Sequence, residues 1–237
     1  MKRLGDYTPA RVSLGLTGQS MPLKPLLDLR LAHARARDAV HFPLDVRSLL
    51  AGIETHNWTA LLVHSAARHR EEYLRRPDLG RRLDDISIQR LHAAREAPLT
   101  FVVGDGLSAL AVHRHAVHLL ERLLRTFNPD EFGPIVIAEQ ARVALADSIG
   151  ELLGAELSVI LIGERPGLSA PDSLGAYVTW QPRIGRTDAE RNCVSNIHPQ
   201  GLTYDQAAYK LAFLITESRR RKLSGVALKE TAGSLLA

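Results

Sequence analysis

An α/β fold, with a mostly parallel sheet flanked by helices in the Rossmann-like manner, follows from three observations on this 237-residue sequence. Short runs rich in β-branched and aliphatic residues occupy positions 99–103, 134–138, 157–162 and 176–180. Helical patterns at 107–126 and 140–152 separate the first three runs, and successive parallel strands need a crossover of about that length. The turns that follow two of these runs, Gly104-Asp105-Gly106-Leu107-Ser108 and Gly163-Glu164-Arg165-Pro166-Gly167, carry the residues that bend a chain sharply. In such sheets ligands meet the loops at the carboxyl ends of the strands.

Before residue 96 the spacing is helical. Leu23, Leu26, Leu27, Leu31 and Ala34 line one face of a helix over 20–37, with Ser20 as its expected N-cap and Pro22 in the first turn. Further helical patterns cover 44–55 and 83–95, so residues 1–95 read as a mainly helical segment and 96–237 as the α/β domain. A C-terminal helix begins after Gly201, where Thr203 and Gln206 form a capping box and Tyr204, Ala208, Leu211, Ala212 and Ile215 share a face. Gly225 is its expected end, and Arg219, Arg220, Arg221 and Lys222 suit the negative pole of its dipole.

A hydrophobic content of 45% supports a sizeable core rather than disorder. No run approaches the eighteen or so apolar residues of a membrane span, and Met1-Lys2-Arg3-Leu4-Gly5-Asp6-Tyr7 lacks the apolar centre of a signal peptide, which sets a cytoplasmic expectation without membrane association. The single cysteine, Cys193, excludes an intramolecular disulfide. A net charge of +4 raises the possibility of nucleic acid, but the basic pairs lie beside acids or at a helix end, and 5% aromatic residues leave little for base stacking, so no nucleic-acid partner is expected.

Four groupings bear on chemistry. Gly104-Asp105-Gly106-Leu107-Ser108 opens a helix where N–H groups could cradle a phosphate, yet it has the spacing of neither a dinucleotide fingerprint nor a P-loop, and Asp105 or Ser108 serves equally as a cap. His113, His115 and His118 suggest a metal site until they are wound on a helix, where only His115 and His118 share a face, so no metal site is expected. Cys193 and His198 have the residue types of a thiolate–imidazole pair without a signature around them. Glu164 and Arg165 read as a solvated turn or as a ligand loop, and chain order alone does not choose.

The ordered set of motifs resembles one family. Thr8-Pro9-Ala10-Arg11-Val12, Arg76-Pro77-Asp78-Leu79-Gly80-Arg81-Arg82-Leu83, the Gly104 to Ser108 turn, Arg142-Val143 with Asp147-Ser148-Ile149-Gly150-Glu151, Gly163-Glu164-Arg165-Pro166-Gly167-Leu168 and Cys193-Val194-Ser195-Asn196-Ile197-His198 together resemble the small (light) subunit of ethanolamine ammonia-lyase across nearly the whole chain. The resemblance implies a lyase subunit that closes over adenosylcobalamin at the interface with a catalytic large subunit, which turns ethanolamine into acetaldehyde and ammonia by radical chemistry. It implies cofactor contacts at Val143, Glu164 and Cys193, and no catalytic residue or cobalt ligand on this chain. Arg165 and the Gly104 to Ser108 loop are further candidates for the same face. The chain starts close to the Thr8 to Val12 motif, without the longer N-terminal extension of some members, so plain cytosol is the expectation, with any bacterial microcompartment association supplied by the large subunit.

Overall fold

The computed structural model describes residues 12 and 14–228 and shows one six-stranded sheet with helices on both faces. Of the motifs quoted above, Thr8 to Arg11 lie outside the described residues. In chain order the elements are α1 (Leu23–His41), α2 (Val46–Glu54), β1 (Ala60–His64), α3 (Arg70–Arg75), α4 (Asp85–His92), β2 (Leu99–Gly104), α5 (Ala109–Leu124), β3 (Ile135–Glu139), α6 (Leu145–Leu152), β4 (Leu157–Gly163), β5 (Leu174–Trp180), β6 (Arg191–Ile197) and α7 (Tyr204–Arg221). Among the described residues no helix is long and apolar enough to cross a membrane.

The strand order is β1-β3-β2-β4-β5-β6. β1, β3, β2 and β4 run parallel, each separated in sequence by a helix, whereas β5 and β6 add antiparallel to the β4 edge. The reason for the reversal is loop length, since the links before β5 and β6 are turns without a crossover helix.

Because both faces of the central strands are covered, their sequences are continuously apolar and alternate residues serve two cores. Leu99, Phe101 and Val103 of β2, Ile135 and Ile137 of β3, and Leu157, Val159 and Leu161 of β4 pack against α2, α5 and α7. Val102, Val136, Ala138, Ile160 and Ile162 point the other way, against Leu91 of α4 and Leu145, Ala146 and Ile149 of α6. α6 reaches only as far as β4. On that second face Tyr177 of β5, half-buried against the edge of this cluster, lies opposite Cys193 of β6 in the ladder, and Cys193 is exposed.

Several expectations are corrected. The mainly helical first 95 residues contain a strand, β1, which pairs with β3 at the sheet edge. Its five residues form too short an apolar run for periodicity to separate strand from helix. Residues 191–197, which no β-type run marked in the sequence, form the edge strand β6, whose exposed side chains are polar. Ser20 does not cap α1; it pairs with Thr17 in a tight turn, and the helix starts after Pro22 with no side-chain cap. α7 does carry the Thr203–Gln206 capping box, but Lys222, not Gly225, takes the left-handed conformation that ends it, and Gly225 opens a separate short turn.

The antiparallel edge is fixed to the rest by a buried ion pair. The Arg191 guanidinium at the start of β6 donates to both oxygens of Asp147 in α6 at 2.5 and 2.7 Å, and also to Thr179 Oγ1 and the Arg186 carbonyl. Both side chains are 2% exposed, so neither charge has water to fall back on. Asp147→Ala is therefore expected to cost about 3–5 kcal/mol in urea denaturation by leaving a buried guanidinium unpaired. Adding Arg191→Met to that variant should recover part of the loss, because it removes the orphaned charge.

Candidate functional site at the carboxyl edge of the sheet

The parallel strands β2, β3 and β4 end together in Gly104, Glu139 and Gly163, and the loops that leave them are stitched to one another through the backbone. Gly106 has φ +57°, and a Cβ there would lie 2.2 Å from the Gly163 carbonyl oxygen; a Cβ on Gly163 would lie 2.0 Å from that of Ser108. Glycine at both positions lets the Leu107 N–H donate to the Gly163 carbonyl at 2.9 Å. Ser108 accepts from the Ala111 N–H as the N-cap of α5, and its hydroxyl donates to the Pro171 carbonyl at 2.9 Å. The 104–108 turn thus holds the far end of the loop that contains Glu164.

Asp105 joins these loops to a third. Its buried carboxylate accepts from the N–H groups of Gln140 at 3.0 Å and Ala141 at 2.8 Å, and from the Arg70 guanidinium of α3 at 3.3 Å, while Arg70 also donates to the Gly106 carbonyl. Burial pushes this carboxyl up to about 6, with Arg70 and the N–H donors of Ala141, Gln140 and Gly106 pulling the other way. Gln140 is held in the left-handed region at φ 53°. Just beyond it, the wholly buried Tyr73 donates to the Ala141 carbonyl, and Arg142 lies over the Tyr73 ring at 4.1 Å. The Arg142 N–H donates to the Gly80 carbonyl, which sets the path into Val143.

Glu164 is held by the two antiparallel strands. Its Oε2 accepts from the Ser173 hydroxyl at 2.5 Å and from the Asn196 N–H at 3.3 Å, while its own N–H donates to the Ser173 carbonyl. Oε1 takes no hydrogen bond among the described residues and is not a buried orphan, so it stays open as an acceptor. Gly175 makes room for it, since a Cβ there would meet Oε1 at 3.0 Å. Asn196, in the left-handed region at φ 61°, sits where the β5–β6 register shifts, and the resulting bulge turns its N–H toward the carboxylate.

Val143, Glu164, Arg165, Arg142, Gly106 and Tyr177 line one cleft of about 410 Å³. Cys193 adjoins it through Tyr177, its partner across the β5–β6 ladder. The structure therefore brings the neighbourhoods of Val143, Glu164 and Cys193 to one face, although 50 residues separate the first from the last. A larger cleft of about 640 Å³ beside His56, Trp58 and Pro134 lies at the opposite ends of β1 and β3. It shares no residue with the loops at the carboxyl edge.

The other candidates separate. His113 accepts from the Asp45 N–H at the N-terminus of α2, and buried His115 meets the Tyr204 hydroxyl at 2.8 Å and Asp172 at 3.5 Å. Their roles are in packing, and burial lowers the pKa of both. Nor do Cys193 and His198 pair. The His198 ring nitrogens face Asn196 Oδ1 at 3.0 Å and Gln200 Oε1 at 3.4 Å. Withdrawal of water from the Cys193 thiol and the Glu164 charge both raise its pKa, the opposite of what a thiolate nucleophile needs. Arg70, Tyr73, Ser173 and Tyr177 support the site without any sequence signal marking them, because what ties each to it is a contact distant in sequence.

A family model described as "Ethanolamine ammonia-lyase light chain (EutC)" matches residues 1–229. The chain is 56% identical over 236 residues to the ethanolamine ammonia-lyase small subunit of Pseudomonas aeruginosa (strain LESB58), covering 97% of this chain and 86% of that protein. It is 56% identical over 232 residues to the protein of the same name from Bradyrhizobium diazoefficiens, covering 96% and 89%. The one from Ralstonia nicotianae is 54% identical over 236 residues, covering 97% and 87%.

The raised Asp105 pKa fixes a sign. A carboxyl that titrates near 6 when folded and about 3.9 when unfolded holds its proton more tightly in the folded state, so its contribution to stability falls as pH rises through that window. The stability of the natural protein minus that of Asp105→Asn, followed by urea denaturation from pH 4 to pH 6, should fall with rising pH by roughly 2 kcal/mol. A flat difference would show that the carboxyl is not perturbed.

Proposed function

The chain belongs to the ethanolamine ammonia-lyase light-chain family, and from that premise we propose that Val143, Glu164 and Cys193 are its contacts with the cobalamin cofactor. It functions as the small subunit of an adenosylcobalamin-dependent ethanolamine ammonia-lyase, a hetero-oligomer in which it partners a large subunit and does not carry the catalytic residues. We infer a cytoplasmic setting for the assembled enzyme.

The residues present fit a corrin edge. Such an edge is apolar in its ring and carries amide side chains that both donate and accept. The open Oε1 of Glu164 is an acceptor for an amide N–H₂, fixed in place by Ser173 and Asn196 on its other oxygen. Val143 offers an apolar wall, and Cys193 a small polarisable one on the strand face that α6 leaves uncovered. Among the described residues Arg142 Nε and Gln140 Oε1 are buried without partners, and both residues precede Val143 on the same loop. Bound adenosylcobalamin supplies a weak cobalt–carbon bond and with it the radical chemistry of the reaction. This chain's part is to position: Glu164 orients the corrin amides, and the rigid 104–108 and 140–143 loops keep Glu164 and Val143 in register.

The single observation that carries this reading is a carboxylate fixed through one oxygen by Ser173 and Asn196 and open at the other, close to the exposed Cys193. The surface nearby suits a large partner. Leu23, Leu27 and Leu31 on α1 are at least 50% exposed, and Leu31 shares a hollow with Leu168 of the Glu164 loop.

In the reconstituted two-subunit enzyme, Glu164→Gln should weaken adenosylcobalamin binding about tenfold, read by corrinoid absorbance after equilibrium dialysis, with urea stability changed little. Unchanged affinity would remove Glu164 from the contact set. Replacing Leu27 with Asp should weaken association with the large subunit, measured by sedimentation, while leaving the fold intact; undiminished association would place the interface elsewhere.

A further inference from the structure

Next to the cleft just described lies a second one, of about 390 Å³, that shares Arg142 and Val143 with it and is otherwise walled by Arg81, Arg186, Arg191 and the loop at Asp188. Its chemistry is different. Four guanidinium groups reach it, and two of them already have carboxylates: Arg191 is paired with Asp147, and Arg186 with Glu190. Among the described residues the other two have none: Arg142 is held there by the Tyr73 carbonyl and ring, and its Nε is buried with no hydrogen-bond partner among them. Arg81 makes no side-chain hydrogen bond or ion pair among the described residues. The lining carboxylate, Asp188, is fully exposed and 3.6 Å from Arg191 Nε.

α6 begins at the floor, but its first N–H groups are already taken, since Leu145, Ala146 and Asp147 donate to the carbonyls of Arg142, Val143 and Ala144, so the free donors of the cleft are side chains. A guanidinium with an unmet buried N–H and a second with no partner among the described residues line one small volume. That is the donor set for a phosphate, which accepts from several directions at once.

We propose that this cleft is an anion subsite that takes the phosphodiester of the cobalamin nucleotide tail, with Arg81 and Arg142 as the donors. The proposal rests on the reading that the adjoining cleft receives the corrin edge. Arg142 and Val143 then lie on the ridge between the two parts of one ligand, corrin on the Glu164 side and phosphodiester on the Arg81 side. The neutralised pair Arg186 and Arg191 form the rigid far wall.

The test uses the reconstituted two-subunit enzyme and two corrinoids, adenosylcobalamin and adenosylcobinamide, the second lacking the phosphodiester and its base. Arg81→Glu, with Arg81→Ala as the milder second variant, should weaken cobalamin binding about tenfold at low salt, and less as salt is raised. Cobinamide affinity should stay within about twofold of the natural enzyme. Equal weakening for both corrinoids, or no change for either, overturns the proposal. So does a loss of subunit association in the absence of any corrinoid, which would assign the cleft to a carboxylate of the large subunit. Glu164→Gln, measured in parallel, should weaken both corrinoids alike. If it weakens neither while the Arg81 variants still discriminate, the corrin contact at Glu164 fails and the phosphodiester subsite stands.

Discussion

Everything at the carboxyl edge of this sheet depends on one buried carboxylate finding enough donors. Asp105 sits at the turn after β2 with its side chain out of water, and it survives there only because Gln140, Ala141 and Arg70 point N–H groups at it. Satisfying that charge fixes the loop after β3 against the loop after β2 and draws α3 over both. Gln140 is held in a left-handed conformation as part of the same arrangement. The close backbone contact between Gly106 and Gly163 then carries the order across to the turn after β4. Without that chain of constraints Val143 and Glu164 would sit on independent loops.

The second organising fact is where the helices stop. On one face α2, α5 and α7 cover the sheet out to β6, and Val194 and Ile197 of that strand are buried. On the other, α6 covers only β2 and β4, and its last tie to the edge is the Asp147–Arg191 pair. Beyond that pair Tyr177 is only half-buried and Cys193 is exposed. A protein that worked alone would gain by covering such a face, whereas a subunit that closes on a partner and a large cofactor needs it bare. That is the sense in which the bare edge suits the proposed reading, with the partner and cofactor completing the site.

Much of the sheet is legible in the amino-acid sequence. The runs at 99–103, 134–138 and 157–162 lie in its centre, where burial on both faces demands unbroken apolar sequence, and strands of that kind announce themselves. β1 and β6 are edge strands, only half covered, and their mixed sequences resemble helix or loop equally well. Capping shows the same division. The Thr203–Gln206 box is a local exchange of hydrogen bonds and is readable as such, whereas the choice of Lys222 over Gly225 as the left-handed residue follows from Gly225 being needed elsewhere, where a Cβ would meet the Ala189 carbonyl at 2.0 Å.

Residue order alone specifies the fold class, the turn that carries Glu164 and, through the ordered motifs, the family. These are properties of local spacing and of residue types in a fixed succession. Folding in three dimensions is what leaves Glu164 one free oxygen, turns Cys193 outward without His198, makes β6 a strand, and brings Arg81 and Arg142 together around an unmet N–H. The reason is physical: each depends on which groups satisfy one another across tens of residues, and hydrogen-bond satisfaction between distant segments leaves no periodic trace in the chain.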